Sequence, residues 1–327
     1  VRLQTVSEQR AFRSCPRYHH VRYGLGYRAI ATAPALSFGR LVHVGLAAWL
    51  SAFSAHRLSA ALTAVCEQVS LSADGCDAFE LVKVQELLRG YDALWAPSEL
   101  ATIAVEAEFR APMLNPLTGA TSRTFEIGGA IDAILRDTAL TKWICEHKTS
   151  SEDIAPGSEY WARLRIDSQV STYMVGARAL GHDVAGCIYD VIGKPRIKPL
   201  LATPPDARKY TKAGTLYANQ REVDETADEY RARLREEIAT NPERYYQRGE
   251  VVRTDEDERD AAYDTWATAR SIREAELAQR WPRNPESCVK WGRRCEFFDC
   301  CCHAADLEDT TRFRKAEKQH EELKEVA

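Results

Sequence analysis

Apolar positions between Ser37 and Val69 recur at helical spacing on an alanine- and leucine-rich background, and a second such run spans Phe79 to Trp95. The period then changes. Ile103–Ala111, Thr124–Arg136 and Thr141–Thr149 are β-prone runs separated by the turn-rich Asn115-Pro116-Leu117-Thr118-Gly119 and by Asp137-Thr138, which predicts three consecutive antiparallel strands. Helical spacing returns over Ser158–Leu180 and stops at Gly181, and Val184–Ile192 is again strand-like. The pattern predicts an α/β fold in the order helix, three strands, helix, strand.

Past that last strand, Lys194-Pro195-Arg196-Ile197-Lys198-Pro199 is a basic, proline-stiffened exit. Tyr210 to Gln279 alternates charged helical stretches with a break near Asn241-Pro242, which marks an added helical region. The expected organisation is a basic N-terminal segment over 1–36, a core over 37–199, an accessory helical region over 200–280, a cysteine-rich segment over 281–304 and a charged tail over 305–327. The tail is dense in both signs and poor in apolar residues, so it is expected to be an exposed helix or disordered.

The chain has 327 residues, 45% hydrophobic and 28% charged, enough for one large core or two smaller ones. Its formal net charge of -4 excludes a global positive field, so any basic surface must be local. One such patch is evident: Arg2, Arg10, Arg13, Arg17, Arg22 and Arg28 face a single acid, Glu8, in the first thirty residues. The apolar stretch around Leu41–Leu50 is interrupted by His43 and is shorter than the ~20 apolar residues of a bilayer span. With no signal-like order at the N-terminus, a soluble protein of the cytoplasm is expected.

The strongest chemical signal is Gly128-Gly129-Ala130-Ile131-Asp132 on one strand and Trp143-Ile144-Cys145-Glu146-His147-Lys148 on the next. The two-residue period of a strand puts Glu146 and Lys148 on one face and His147 on the other. Acids among apolar neighbours need a compensating partner, and hard carboxylate oxygens suit Mg²⁺ or Mn²⁺. Such an ion can activate water and neutralise charge on a phosphate in transit, while a neighbouring lysine positions the water.

These residues resemble the hallmark of the PD-(D/E)XK nuclease superfamily, an acid on one strand and acid-x-lysine on its neighbour. Within it the chain is similar to RecB-type nucleases, including CRISPR-associated and phage exonucleases. The resemblance implies a restriction-endonuclease-like core with a mixed sheet flanked by helices. It also implies a cation held by His43, Asp132, Glu146 and the His147 carbonyl, with Lys148 assisting water. His43 comes from Gly39-Arg40-Leu41-Val42-His43, which looks like the family's glycine-x-x-x-histidine helix. Gln169 and Tyr173, four apart on one helix face, match the family's Gln-x-x-x-Tyr pair and are implied to position substrate. Glu106 and Glu108 lie on the preceding strand, where relatives often carry a further acid, with Glu106 preferred.

Ten cysteines are distributed unevenly, with Cys288, Cys295, Cys300, Cys301 and Cys302 crowded near the end and Cys15 alone at the start. Four thiolates can hold a [4Fe-4S] cluster or a tetrahedral zinc ion, and spacing does not choose between them. The segment around Phe12-Arg13-Ser14-Cys15-Pro16-Arg17-Tyr18, taken with the C-terminal group, resembles the split frame of iron–sulfur nucleases. That resemblance implies Cys15, Cys288, Cys295 and Cys301 as cluster ligands.

Arg13, Arg17, Arg22 and Arg28 interleave with Phe12, Tyr18, Tyr23 and Tyr27, a composition suited to a groove for single-stranded DNA. Lys194 and Arg196, with Lys198, form a second basic site. No base-reading element is present, so binding without sequence specificity is expected. The chain reads as a metal-dependent DNA exonuclease of phage or prokaryotic DNA processing, recombination or repair. The alternative is a DNA-gripping subunit of a recombination or CRISPR spacer-acquisition complex, with little cleavage of its own.

Overall fold

The computed structural model describes residues 1–30, 34–71, 76–290, 293–321 and 323. Strand β1 (Arg2–Thr5) runs into helix α1 (Val6–Ser14), which Thr5 caps by accepting the Glu8 N–H at 3.2 Å. Short α2 (Pro16–His19) and a wider turn over His20–Gly24 lead to β2 (Tyr27–Ala29). The alanine-rich pattern of 37–69 divides into α3 (Pro34–Ser51) and α4 (Arg57–Ser70), parted by a turn at Ser54–His56. Helix α5 (Ala78–Trp95) begins where Asp77 caps the Phe79 and Glu80 N–H groups, each at 3.0 Å.

Strands β3 (Ala101–Leu114), β4 (Thr121–Arg136) and β5 (Lys142–Ser150) are antiparallel in sequence order, as expected. The single helix expected over 158–180 is two, α6 (Glu159–Leu164) and α7 (Ser168–Ala179). Asp167 leaves the helical conformation to cap the Gln169 N–H at 2.8 Å. Arg253 takes the carbonyls of Leu164, Arg165 and Asp167, satisfying acceptors that the break leaves open. Strand β6 (Gly186–Gly193) is buried at every position and runs parallel to β5, consistent with its apolar sequence.

The chain continues as α8 (Ala227–Thr240), α9 (Pro242–Tyr245), β7 (Tyr246–Val251), α10 (Asp255–Ala278), β8 (Val289–Lys290), β9 (Arg293–Arg294), α11 (Phe298–Cys301) and β10 (Phe313–Lys315). The region expected to be helical after residue 199 therefore also contributes a strand. β7 joins the sheet antiparallel to β6, and its polar Gln247-Arg248-Gly249-Glu250 carries no apolar alternation that would mark it.

The sheet runs β1-β4-β5-β6-β7, with β3 also paired to β4. One long strand serves two neighbours. Phe125–Gly128 of β4 pair in parallel with Arg2–Thr5, and Ala133–Arg136 pair antiparallel with Lys142–Cys145. On one face α3, α4, α5 and α8 bury Leu46, Val65, Leu87, Leu88 and Leu234 with Ala133, Cys145 and Ile192. On the other, α6 and α7 bury Leu164, Val170 and Met174 with Ile131, Ile134, Ile144 and Val191.

Where it is described, the charged tail contributes a short strand, neither the exposed helix nor the disorder expected, and residues 322 and 324–327 lie outside the description. β10 pairs antiparallel with β2, and Phe313 packs with Val21, Tyr27 and Phe297. One buried aromatic anchors a segment whose composition is otherwise that of a solvated chain. Among the described residues, no helix is long and apolar enough to cross a membrane.

Candidate active site

β4 and β5 stay in register only as far as Ala133 opposite Cys145. Beyond that pair Asp132 replaces the ladder with its side chain, Oδ2 accepting the His147 N–H at 2.8 Å. The alternation of β4 slips here: Ile131 and Ile134, three apart, pack in the same cluster, while Ala133 belongs to the opposite one. Across β3, Glu106 lies between the pairs Val105–Ala133 and Ala107–Ile131, hence opposite Asp132, and has a left-handed φ of 49°. Such a conformation costs on the order of 1–3 kcal/mol in a non-glycine residue and concentrates at functional sites. Glu108 lies opposite Ala130.

The next strand delivers the rest. Lys148 Nζ donates to Glu146 Oε1 and, at 3.1 Å, to Gln169 Oε1. Gln169 returns its Nε2 to Glu146 Oε1 at 2.7 Å and to the Tyr173 hydroxyl at 3.0 Å. The helical pair and the strand pair thus form one hydrogen-bonded group, because α7 lies over the β5 face that carries both Glu146 and Lys148. On α3, His43 places Nδ1 3.6 Å from Asp132 Oδ2.

Burial and the neighbouring Asp132 push the Glu146 carboxyl up to about 7, against the pull of Lys148 and His43. Burial works the same way on Asp132, yet the His43 hydrogen bond and charge, with His147 and Lys148, bring it below the usual carboxylate range. His43 itself is raised, since Asp132 and Glu146 outweigh its burial. Glu146 Oε2 is buried with no hydrogen-bond partner. An orphaned carboxylate oxygen that feels a second acid and an imidazole offers donors a divalent cation can take, so the chemistry of these residues fits such an ion.

The model of the PD-(D/E)XK nuclease superfamily matches residues 4–302. The chain belongs to that superfamily. It is therefore a nuclease by family, and PD-(D/E)XK nucleases use divalent metals. Among solved structures the nuclease is similar to a candidate exonuclease of Eubacterium rectale, at 12% identity over 93% of this chain and 89% of that one, with a TM-score of 0.45. A likeness to SSO0001 covers 73% of this chain and 75% of that one, at 16% identity and a TM-score of 0.26. No curated protein matches it.

The His147 ring points away from the Glu146 and Lys148 group in this nuclease. It is buried against Asp190 (Nδ1 to Oδ2 3.7 Å) and Cys145 (Nε2 to Sγ 4.0 Å). Asp190 is held in turn by Arg248 at 2.9 Å and by the Tyr91 hydroxyl at 2.6 Å. The donor atoms of Cys145, His147 and Asp190 lie within 4.8 Å of one another. Sequence reading missed Asp190, although an acid inside the apolar run Cys187-Ile188-Tyr189-Asp190-Val191-Ile192 was a visible signal. It also missed Arg10, which reaches Gln169 Oε1 at 3.3 Å from α1 and could not be placed without the fold.

The N- and C-terminal segments meet at the cysteines. All ten are free thiols. The Asn284 N–H points at Cys15 Sγ (3.4 Å), and the Cys295 N–H donates to the Cys288 carbonyl (2.8 Å). Burial raises the Cys295 thiol to about 11 against a hydrogen bond from the Phe297 backbone, with Glu296, Cys301 and Cys15 adding. Burial likewise raises Cys301, with the Cys15 and Cys288 thiols adding and Arg17 and Arg283 opposing. Burial raises Cys300 as well, with Arg312 opposing and Asp299, Asp306 and Asp309 adding. Cys15 and Cys288 act on the Cys301 thiol, and Cys15 and Cys301 on the Cys295 thiol, so the four lie in one neighbourhood, as a group that takes them as thiolates would need.

The rings expected to stack on bases are largely interior. Phe12, Tyr23 and Tyr27 are buried, and Tyr18 donates to Glu296 at 2.8 Å. Tyr27 and Tyr18 pack with Phe297 and Phe313, and Tyr23 meets His320, so rings help seat the N-terminal segment on the C-terminal one, which a local composition cannot distinguish from a binding face. Arg22 pairs with Glu296 (3.2 Å), Arg17 donates to the Trp281 carbonyl (3.2 Å) and Arg13 to the Ser168 hydroxyl (3.2 Å). Lys194 and Arg196 line a cavity of about 630 Å³ with Ser150, Glu152 and Arg244, and Lys194 Nζ also lies 4.9 Å from the Phe38 ring centre.

Proposed function

We propose that this nuclease hydrolyses phosphodiester bonds of DNA as a Mg²⁺- or Mn²⁺-dependent exonuclease on single strands. The observation that carries the metal site is the buried, unpartnered Glu146 Oε2, on a carboxyl that feels both Asp132 and His43. These three residues, with the His147 carbonyl, would hold the ion, which supplies charge neutralisation at the phosphate and an acidified water. Lys148 is the group that addresses the water. Two of its three N–H donors go to Glu146 and Gln169, and the third serves the nucleophile or a phosphoryl oxygen. Tyr173 and Gln169 border the site and orient the strand.

The strand would pass Lys148 toward the C-terminal ends of the parallel pair β5 and β6, where a cavity lined by Lys194, Arg196 and Arg244 together with Glu152, Asp153 and Glu243 offers three cations to phosphates. We assign Cys15, Cys288, Cys295 and Cys301 to a [4Fe-4S] cluster whose role is to fasten the two ends of the chain. The electrostatic linkage of Cys301 rather than Cys300 to the other thiols supports that choice of last ligand.

The test is digestion of labelled single-stranded DNA with Mg²⁺ or Mn²⁺ by wild type, Asp132→Ala and Lys148→Ala. Loss of cleavage in both variants is expected. Equal activity in all three overturns the catalytic assignment, and a circular strand cut as fast as a linear one overturns the exonuclease assignment.

A further inference from the structure

One cation reaches the acid–lysine group from a distant part of the chain. Arg10 on α1 donates through Nη1 to Gln169 Oε1 at 3.3 Å and through Nη2 to the Asp167 carboxylate. Both acceptors already have work in the site. Asp167 caps α7 through the Gln169 N–H and accepts the Tyr189 hydroxyl at 3.2 Å. The Gln169 carboxamide holds Lys148 at its oxygen and Glu146 at its nitrogen.

A terminal carboxamide has a broad, roughly two-fold torsional preference, so its neighbours decide which end faces which group. Here two cationic donors, Lys148 and Arg10, converge on one oxygen. A flipped amide would set its NH₂ against both of them and its oxygen against the Glu146 carboxylate. Arg10 also grips the residue that starts α7, so it fixes the carboxamide and the helix end beneath it together.

The Arg10 side chain is 44% exposed, but the helix that carries it is anchored. Arg13, on the same helix, donates to Ser168 at 3.2 Å, and the Ser14 carbonyl accepts from Asn284 Nδ2 and Ser287 Oγ, each at 2.8 Å. The helix ends at Cys15, five residues on, about 7.5 Å along the axis. The segment that carries Cys288 thus braces the helix that carries Arg10.

We propose that Arg10 is a positioning residue of the active centre, acting through Gln169 and Asp167 to hold Glu146 and Lys148 in register. This rests on the nuclease reading above. A purely superficial ion pair would contribute almost nothing, and an arginine binding a substrate phosphate directly would act on affinity.

The experiment is a double-mutant cycle on metal-dependent digestion, with kcat and KM separated. Arg10→Ala is expected to lower kcat by about tenfold, as for small misplacements of reacting groups, with KM and thermal stability little changed. The Arg10→Ala/Gln169→Ala double variant is expected to be no slower than Gln169→Ala alone. Arg10→Lys, which cannot serve both acceptors in the same fork, should recover less than half of the lost rate. In metal-free protein labelled at glutamine side chains, the Gln169 NH₂ resonances, identified by their loss in Gln169→Ala, should shift in Arg10→Ala. Unchanged resonances and rate in Arg10→Ala overturn the proposal, as do losses that multiply in the double variant and fall on KM. A wild type that cleaves nothing fails the nuclease reading as well; an active wild type with unaffected Arg10→Ala fails this inference alone.

Discussion

Asp132 accepts the His147 backbone N–H at 2.8 Å at the point where β4 and β5 part. The same carboxylate lies 3.6 Å from His43 and raises the Glu146 carboxyl electrostatically, so it is both a strand junction and a candidate ligand. The two roles separate by substitution. Asp132→Asn keeps an oxygen acceptor for the buried N–H but removes the charge, whereas Asp132→Ala removes both. Each should slow hydrolysis by at least about 100-fold if the charge organises the cation. Only the alanine variant should also lose roughly 1–3 kcal/mol of stability, read from denaturant unfolding, because it leaves a buried donor unpaired.

Cation binding should depend on pH through Glu146. Burial and Asp132 push its carboxyl up to about 7, from the 4.5 of an unhindered glutamate. Below about pH 6 the ion must displace a proton. Calorimetric titration with Mg²⁺ or Mn²⁺ should show affinity rising as pH increases from 6 to 8, with proton release at the lower end. The linkage has the opposite sign for folding. The folded state binds more protons than the unfolded one between the two pKa values, so the metal-free protein should lose stability as pH rises from about 4.5 to 7. Saturating divalent ion should offset that loss. A Glu146→Gln variant should show neither trend from this group.

The thiol frame makes a prediction that discriminates among three adjacent cysteines. Anaerobically purified protein should be coloured and contain iron, and Cys15→Ser or Cys301→Ser should lose both together with several degrees of Tm. Cys300→Ser should retain them, since the charges acting on that thiol are Arg312, Asp299, Asp306 and Asp309 and not the proposed cluster ligands. A colourless, iron-free wild type containing zinc would replace the cluster with a tetrahedral ion, and retention of iron in Cys301→Ser would move the last ligand elsewhere.

The acid and lysine strands were legible because period-2 alternation specifies which side chains share a face, and Glu146 and Lys148 do. The Gln169 and Tyr173 pair was legible for the same reason on a helix, even though the break at Asp167 was not. That break depends on Arg253, more than eighty residues away, supplying donors to the freed carbonyls. β1 and β7 were missed because short strands at the margin of a sheet are defined by the partner they pair with, and Arg2–Thr5 and Tyr246–Val251 carry little internal pattern. Phe12, Tyr23 and Tyr27 were read as a binding surface for the converse reason, that burial of aromatics between distant segments leaves no local mark.

The approach of α7 to the sheet is set by Gly176. A Cβ there would lie 2.5 Å from the Phe109 ring, and that ring is buried and stands edge-on to Tyr173, with centroids 6.0 Å apart. In an exposed helix Gly→Ala gains up to about 1 kcal/mol from backbone entropy. Here overpacking should reverse the sign, costing roughly 1–3 kcal/mol, because Phe109 cannot swing aside within a packed core. The remaining outlet is for α7 to lift, which would carry Gln169 and Tyr173 away from Glu146 and Lys148. Gly176→Ala should therefore lower both Tm and the rate of hydrolysis. Adding Phe109→Leu, which gives back the space, should restore part of each; a Gly176→Ala protein more stable than wild type would show that the helix stands farther from β3 than this packing implies.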